Sequence, residues 1–345
     1  MRPFFLETAR DANEALRLGA CGGEVDAHVD AHVRAPAQYL AGGTNLLDLM
    51  KLDVARPERL VNINGLRQDY GSIEAEEGEL RLGALVHMST AADHPIIRQD
   101  YRVLSDALWM AASPQLRNMA SLAGNVLQRT RCNYFRDTSW GACNKRKPGS
   151  GCAAIDGVNR RLAVLGVSEH CIANYPGDFA IALVALGARV DVLGTDGASR
   201  SIALEDLHRL PGDTPHIETN LAPGELITGF RIPTGPWTRR SLYLKIRDRA
   251  SYDFALASAA VALDLAPDAT VRTVRIGIGG LVAKPWRSLD AEAVLKGRVL
   301  DETSASEAAE AAFASAVVHS ETGCKPELGR RTLIRALLEA GRMEM

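Results

Sequence analysis

Four of the six cysteines in this 345-residue chain, Cys132, Cys143, Cys152 and Cys171, fall within one stretch of forty residues, while Cys21 and Cys324 lie near opposite ends. Thiolates are the ligands of structural zinc and of iron–sulfur clusters, so the grouping points first to metal chemistry. The spacing is C-x10-C-x8-C-x18-C. Structural zinc sites pair their ligands as C-x2–4-C, and no such pair occurs here. Four thiolates are the usual ligation of a [4Fe–4S] or [2Fe–2S] cluster, and an irregular loop wraps one without regular spacing. Between residues 129 and 161 stand Arg129, Arg131, Arg136, Lys145, Arg146, Lys147, Arg160 and Arg161 against only Asp137 and Asp156. Such cations offset the negative charge of a thiolate-bound cluster, and equally suit contact with a partner subunit. Spacing alone leaves iron–sulfur, zinc and unrelated thiols open.

A second chemical feature is the turn Ala41-Gly42-Gly43-Thr44-Asn45-Leu46, preceded by a short strand and followed by a helical run. Glycines let backbone N–H groups approach a phosphate closely, which neither side chains nor a Cβ would permit. No Gly-Lys-Ser/Thr follows, and the spacing is not G-x-G-x-x-G. The later Gly277-Ile278-Gly279-Gly280 fails that pattern too, because Val282 stands where the third glycine belongs. Ser121-Leu122-Ala123-Gly124-Asn125 offers small residues and a polar amide, a weaker sign of close approach to a ligand. Asp26, His28, Asp30 and His32 alternate and would share one face of a strand, where they could hold a metal; an exposed loop is the plainer reading. There is no nucleophile elbow and no H-E-x-x-H, and the neighbours His170 and Cys171 point apart in most backbones.

The elements that must position these residues read as mixed α and β. Helices are expected at 12–18, 45–51 (capped by Thr44 or Asn45), from Ser89 through 97, and at 103–112 and 179–186. Strands are expected at 37–40, 60–63, 80–86 and 189–193. Residues 129–171 lose periodicity altogether. The run PTGPWTRRS (233–241) reads as a linker, with strands at 242–246, 255–265 and 271–282 beyond it and helices at about 301–318 and 326–342. The Ala-rich middle strand has helical composition as well. A boundary near residue 237 follows. With 46% hydrophobic residues the chain can bury real cores, and a net charge of −2 gives no basic field for nucleic acid. No apolar run approaches the ~20 residues of a membrane span. The first twenty residues meet charge early and lack an apolar core or twin-Arg pair, which makes the cytoplasm the default expectation.

Taken together, AGGTNLLDLMK (41–51), SPQLRNMASLAGN (113–125), YPGDFA (175–180), ELITGFRIP (225–233), YLKIRDRASYDFA (243–255) and GIGGLVAKPWR (277–287) occur in order along nearly the whole chain. They resemble the FAD-binding medium subunit of the molybdenum hydroxylases, the xanthine dehydrogenase/CO dehydrogenase family. The cysteine run resembles the version that carries an extra [4Fe–4S] cluster, as in FAD subunits of periplasmic aldehyde oxidoreductases. The resemblance implies an α+β fold: a vanillyl-alcohol-oxidase/PCMH-type FAD-binding domain at 1–236, followed by a CO-dehydrogenase-flavoprotein-like C-terminal domain at 237–345. The first domain would consist of subdomains at about 1–60 and 61–236, with the [4Fe–4S] insertion at about 129–171.

It also implies roles for residues. Tyr39, Leu40, Ala41, Gly42, Gly43, Thr44, Asn45 and Leu46 correspond to a first FAD segment whose backbone amides bind the pyrophosphate. Ser121, Leu122, Ala123, Gly124 and Asn125 correspond to a second. Asp178 corresponds to an acidic FAD contact, Lys245 to a lysine near the flavin, and Ile227 to a loop approaching the isoalloxazine. Cys132, Cys143, Cys152 and Cys171 would ligate the cluster. No side chain need act as nucleophile. The implied function is an electron-transfer subunit of a molybdenum-dependent aldehyde oxidoreductase. It would pass electrons from a molybdenum-cofactor large subunit and a [2Fe–2S] small subunit through FAD to an external acceptor. A zinc-bound scaffold and a stand-alone flavin oxidase are the alternatives, and export beside a signal-bearing partner is the alternative to the cytoplasm.

Overall fold

The computed structural model describes residues 1–20 and 32–344, so Cys21, Asp26, His28 and Asp30 lie outside the described residues. Three sheets organise what is described. Phe5–Thr8, Arg59–Asn62 and Ala37–Leu40 form a parallel sheet with Arg59–Asn62 at its centre. Ile73–Glu76, Glu79–Gly83, Leu226–Pro233, Arg189–Leu193 and Ser199–Ala203 form an antiparallel sheet in that spatial order. Ser241–Ile246, Ala257–Leu265, Val271–Gly279 and the short Trp286–Arg287 form the third. The expected α+β class is what is found. Among the described residues no helix is long and apolar enough to cross a membrane.

The helix Phe179–Leu186 is the pivot between the second and third sheets. All eight of its residues are buried, so it shows no polar stripe, and it packs on Val271–Gly279, Ala257–Leu265 and the helix Arg102–Met110. Gly187, at φ +69°, closes it in the left-handed conformation that glycine adopts without strain. The helix can lie close to the sheet because Gly277 faces it: a Cβ there would sit 2.4 Å from the Ile181 carbonyl oxygen. The glycines of 277–280 therefore serve packing. Ala257–Leu265 is a strand despite its alanines. It is buried on both faces, between that helix and the C-terminal helix Lys325–Gly341, which removes the alternation a half-exposed strand would show.

Several expectations change in detail. The helix expected from Ser89 onward is two helices, Met88–Asp93 and Pro95–Asp100, broken before Pro95, with His87 rather than Ser89 at the N-cap. No element is expected at 113–126 from the sequence. The stretch holds two short helices, Pro114–Met119 and Leu122–Val126, each capped by a serine. Ile227 lies on the strand Leu226–Pro233 rather than in a loop. Residues 129–171 are irregular as expected, apart from the single turn Asn133–Arg136.

Candidate flavin cavity and cysteine recess

A cavity of about 530 Å³ opens where the first two sheets meet. All eight residues from Tyr39 to Leu46 line it. The turn is forced into place from behind: a Cβ on Gly42 would lie 1.9 Å from the Met119 carbonyl oxygen, and Gly43 has φ +70°. Asn64 Nδ2 donates to the Ala41 carbonyl at 3.1 Å, fixing the end of the strand. Tyr39 donates its hydroxyl to the Gly224 carbonyl at 2.6 Å, and burial pushes its phenol up to about 12. Asn45 stands at the N-cap of Leu46–Lys51 but does not cap it; its Oδ1 accepts instead from the Arg129 backbone N–H at 3.0 Å. Among the described residues no protein acceptor meets the N–H groups of Gly42, Gly43 or Thr44. A row of free amides in a glycine turn on a cavity wall fits the diphosphate of a dinucleotide.

The second segment contributes differently. Ser121, Ala123 and Gly124 line the cavity, but Leu122 and Asn125 do not. Its amides are already engaged: Leu122 donates to Val86, Ala123 to Ala84, Gly124 to the Ser121 hydroxyl and Asn125 to the Ser121 carbonyl. Leu122 is buried in the core, and Asn125 directs its amide nitrogen to the Met88 sulfur at 3.3 Å. The segment thus offers a small-residue face rather than a second row of free N–H groups.

Ile227 also lines the cavity; Asp178 and Lys245 do not. They form a buried ion pair at 2.8 Å. Tyr243 donates its hydroxyl to the other Asp178 oxygen at 2.8 Å, and Lys245 also donates to the Met110 carbonyl at 3.0 Å. Burial pushes the Asp178 carboxyl up while Lys245 and Tyr243 oppose that shift. The charges are taken up by each other, which is why neither is presented to the cavity.

One end of the cavity carries an ionic network that the sequence does not announce. Glu218 meets Lys145 at 2.8 Å and also pairs with Arg129. Burial works against its charge, but Arg129 and Lys145 hold its carboxyl at about 2. His208 is buried beside it, with Nε2 3.0 Å from the Val126 carbonyl oxygen and its ring edge-on to Tyr175; burial pushes it down to about 4. His32, the described member of the alternating Asp/His run, sits on this wall, and burial and Arg129 likewise lower it to about 4.

Cys132, Cys143, Cys152 and Cys171 all rim one small recess of about 10 Å³ beside the cavity, and none is in a disulfide. Cys143 and Cys152 face each other across an isolated antiparallel bridge. Asn144 ties this hairpin to the last cysteine, accepting from Gly151 N–H at 2.9 Å and donating to the His170 carbonyl at 3.0 Å. Arg146 gathers the carbonyls of Tyr134 and Phe135 at 2.6 and 2.9 Å, in place of regular secondary structure. Among the described residues no three His, Cys, Asp or Glu side chains converge tightly enough to hold a single metal ion. Burial raises the Cys132 thiol to about 12 and Cys171 to about 11. Backbone N–H groups act in the opposite direction: Phe135 and Tyr134 at Cys132, Arg146 and Lys145 at Cys143, Ala173 at Cys171. Amides aimed at sulfurs in a site too dry for bare thiolates fit a metal-bound cluster, whose cations supply the missing charge.

The cysteine-bearing segment 129–171 is pinned to the C-terminal part. Asn159 donates to Ser320 and accepts from Glu321 N–H. Lys325 donates to the carbonyls of Leu162 and Gly280 at 2.6 and 3.1 Å.

Residues 8–235 match the family described as the FAD binding domain in molybdopterin dehydrogenase, and residues 242–344 match the CO dehydrogenase flavoprotein C-terminal domain. The aldehyde oxidoreductase FAD-binding subunit PaoB of Escherichia coli is 48% identical over 88% of this chain and 91% of its own length. The nicotine 6-hydroxylase medium subunit of Paenarthrobacter nicotinovorans is 27% identical over 88% of this chain and 90% of its own. Among solved structures, the Cu,Mo-CO dehydrogenase superposes with a TM-score of 0.73 at 23% identity, covering 99% of both chains, a likeness of fold.

Proposed function

Because this chain belongs to the FAD-binding subunits of the molybdenum hydroxylase family, we propose that it is the flavin and iron–sulfur electron-transfer subunit of an aldehyde-oxidising complex. Its partners would be a molybdenum-cofactor large subunit and a [2Fe–2S] small subunit, with electrons leaving to an external acceptor. Bound FAD would collect electrons one at a time from one-electron carriers and hand them on singly or as a pair, which suits the step before an external acceptor. The observation that carries the reading is the row of Gly42, Gly43 and Thr44 amides, met by no acceptor among the described residues, on the wall of the 530 Å³ cavity. These amides would hold the diphosphate, Ser121, Ala123 and Gly124 would let it lie close to the backbone, and Ile227 would supply apolar surface. A [4Fe–4S] cluster in the cysteine recess is supported by four unpaired thiols that share one recess, three of which, Cys132, Cys143 and Cys171, receive backbone N–H groups. Aldehyde as substrate class is supported by the 48%-identical relative, the FAD-binding subunit of an aldehyde oxidoreductase.

The test is co-purification of the complex followed by metal, flavin and EPR analysis. Iron beyond that of the small subunit, with about one FAD per chain, is expected. Cys143→Ser should abolish or alter the reduced-cluster EPR signal while most of the flavin stays bound. An unaltered signal removes Cys143 as a ligand, and zinc in place of the extra iron removes the cluster.

A further inference from the structure

Two residues belong to both walls. Lys145 and Ala173 line the large cavity and the cysteine recess alike. Ala173 follows Cys171 by two residues and its backbone N–H faces that thiol. Lys145 follows Cys143 by two, and its side chain is only 12% exposed. Its ammonium donates to Glu218 at 2.8 Å and to the Pro215 carbonyl at 3.2 Å. Glu218 also pairs with Arg129, so two cations share one carboxylate, leaving one unit of positive charge between the two pockets.

We infer that Lys145 is a positioning residue common to two redox sites: its fixed charge, held in the shared wall by Glu218, sets the reduction potentials of the groups in the recess and in the cavity together. This rests on the flavin and cluster assignments above. Reduction adds negative charge, and a cation in a dry wall stabilises the reduced state on either side of it. Two other basic residues of the same segment are poorer candidates for this role. Lys147 and Arg160 are exposed, where water and salt screen them.

The experiment is a potentiometric titration of the intact complex, following the cluster by EPR and the flavin by absorbance. Lys145→Met should shift both midpoint potentials to more negative values, and Lys145→Arg should restore them. Glu218→Gln, which leaves the ammonium uncompensated, should shift both to more positive values. Lys147→Met, a loss of the same charge from the same loop, should shift them much less. Wild-type potentials in a Lys145→Met complex that retains both groups overturn the inference, as does a shift confined to one of them. If Lys145→Met sheds its flavin, Glu218→Gln decides: an upward shift supports the role and no shift overturns it. Absence of the extra cluster signal from the wild type is a failure of the cluster assignment itself and is read before any variant.

Discussion

The candidate flavin cavity and the cysteine recess share a wall, yet they are built by different means. The cavity wall is backbone: a glycine turn wedged against the Met119 carbonyl, with small residues opposite. The recess is held by side chains reaching for carbonyls, Arg146 for 134 and 135, Asn144 for 170, Lys325 for 162. A backbone wall is encoded within a few consecutive residues, because a missing Cβ and a positive φ are local properties. A side-chain scaffold depends on partners far along the chain, so its failure spreads across the C-terminal part.

The Asp178–Lys245 pair gives the strongest way to break this contrast, since the family resemblance places both residues at the flavin and the structure places them in the core. Asp178→Ala leaves a lysine charged in a buried site, which costs about 3–5 kcal/mol of stability, measured by urea unfolding. Asp178→Ala with Lys245→Met should recover most of that loss and retain flavin. A double variant that is stable but flavin-free would place Asp178 at the flavin after all.

The same division governs what could be read from the sequence. Phe179–Leu186, Ala37–Leu40 and Arg189–Leu193 are legible to the residue, since an all-apolar run ending in glycine and short β-branched or aromatic runs carry local signals. Phe5–Thr8 carries none. It is mostly exposed, so no burial pattern marks it. The glycine turn is legible for the same local reason. The engaged amides of residues 122–125 are not, because Ala84 and Val86, which accept two of them, are known only once the second sheet is formed. Glu218 is invisible as a site residue: its partner Lys145 is 73 residues away, and nothing local marks a glutamate that will be buried. The four cysteines were visible as a group, but their shared recess rests on the long-range scaffold.

Lys325 tests that scaffold next. It is buried and, among the described residues, donates to the Leu162 and Gly280 carbonyls, and burial pushes its ammonium down to about 7 from 10.5. The unfolded chain therefore holds this proton more tightly than the folded one. Its contribution to stability is complete above pH 10.5 and is lost as pH falls toward 7. Between pH 7 and 9 the wild type should gain stability relative to Lys325→Met by up to about 1.4 kcal/mol per pH unit, the limit for one proton. Parallel pH profiles of unfolding free energy for the two proteins would show Lys325 to be charged in the native state throughout.

The finest discrimination lies between two serines eight residues apart. Ser113 caps Pro114–Met119 by accepting from Leu116 N–H at 3.3 Å, and Ser121 caps Leu122–Val126 by accepting from Gly124 N–H at 3.2 Å. The two caps are chemically alike, so Ser113→Ala and Ser121→Ala should each cost about 1 kcal/mol. Only Ser121 lines the cavity. If the cavity is held by local backbone geometry, the Ser121 variant alone should lose flavin more readily in a dilution or ultrafiltration assay, at equal loss of stability. Equal flavin retention by the two would mean that the second segment supports the first sheet's turn without touching the cofactor. The free amides of Gly42, Gly43 and Thr44 would then be the principal protein hold on the diphosphate.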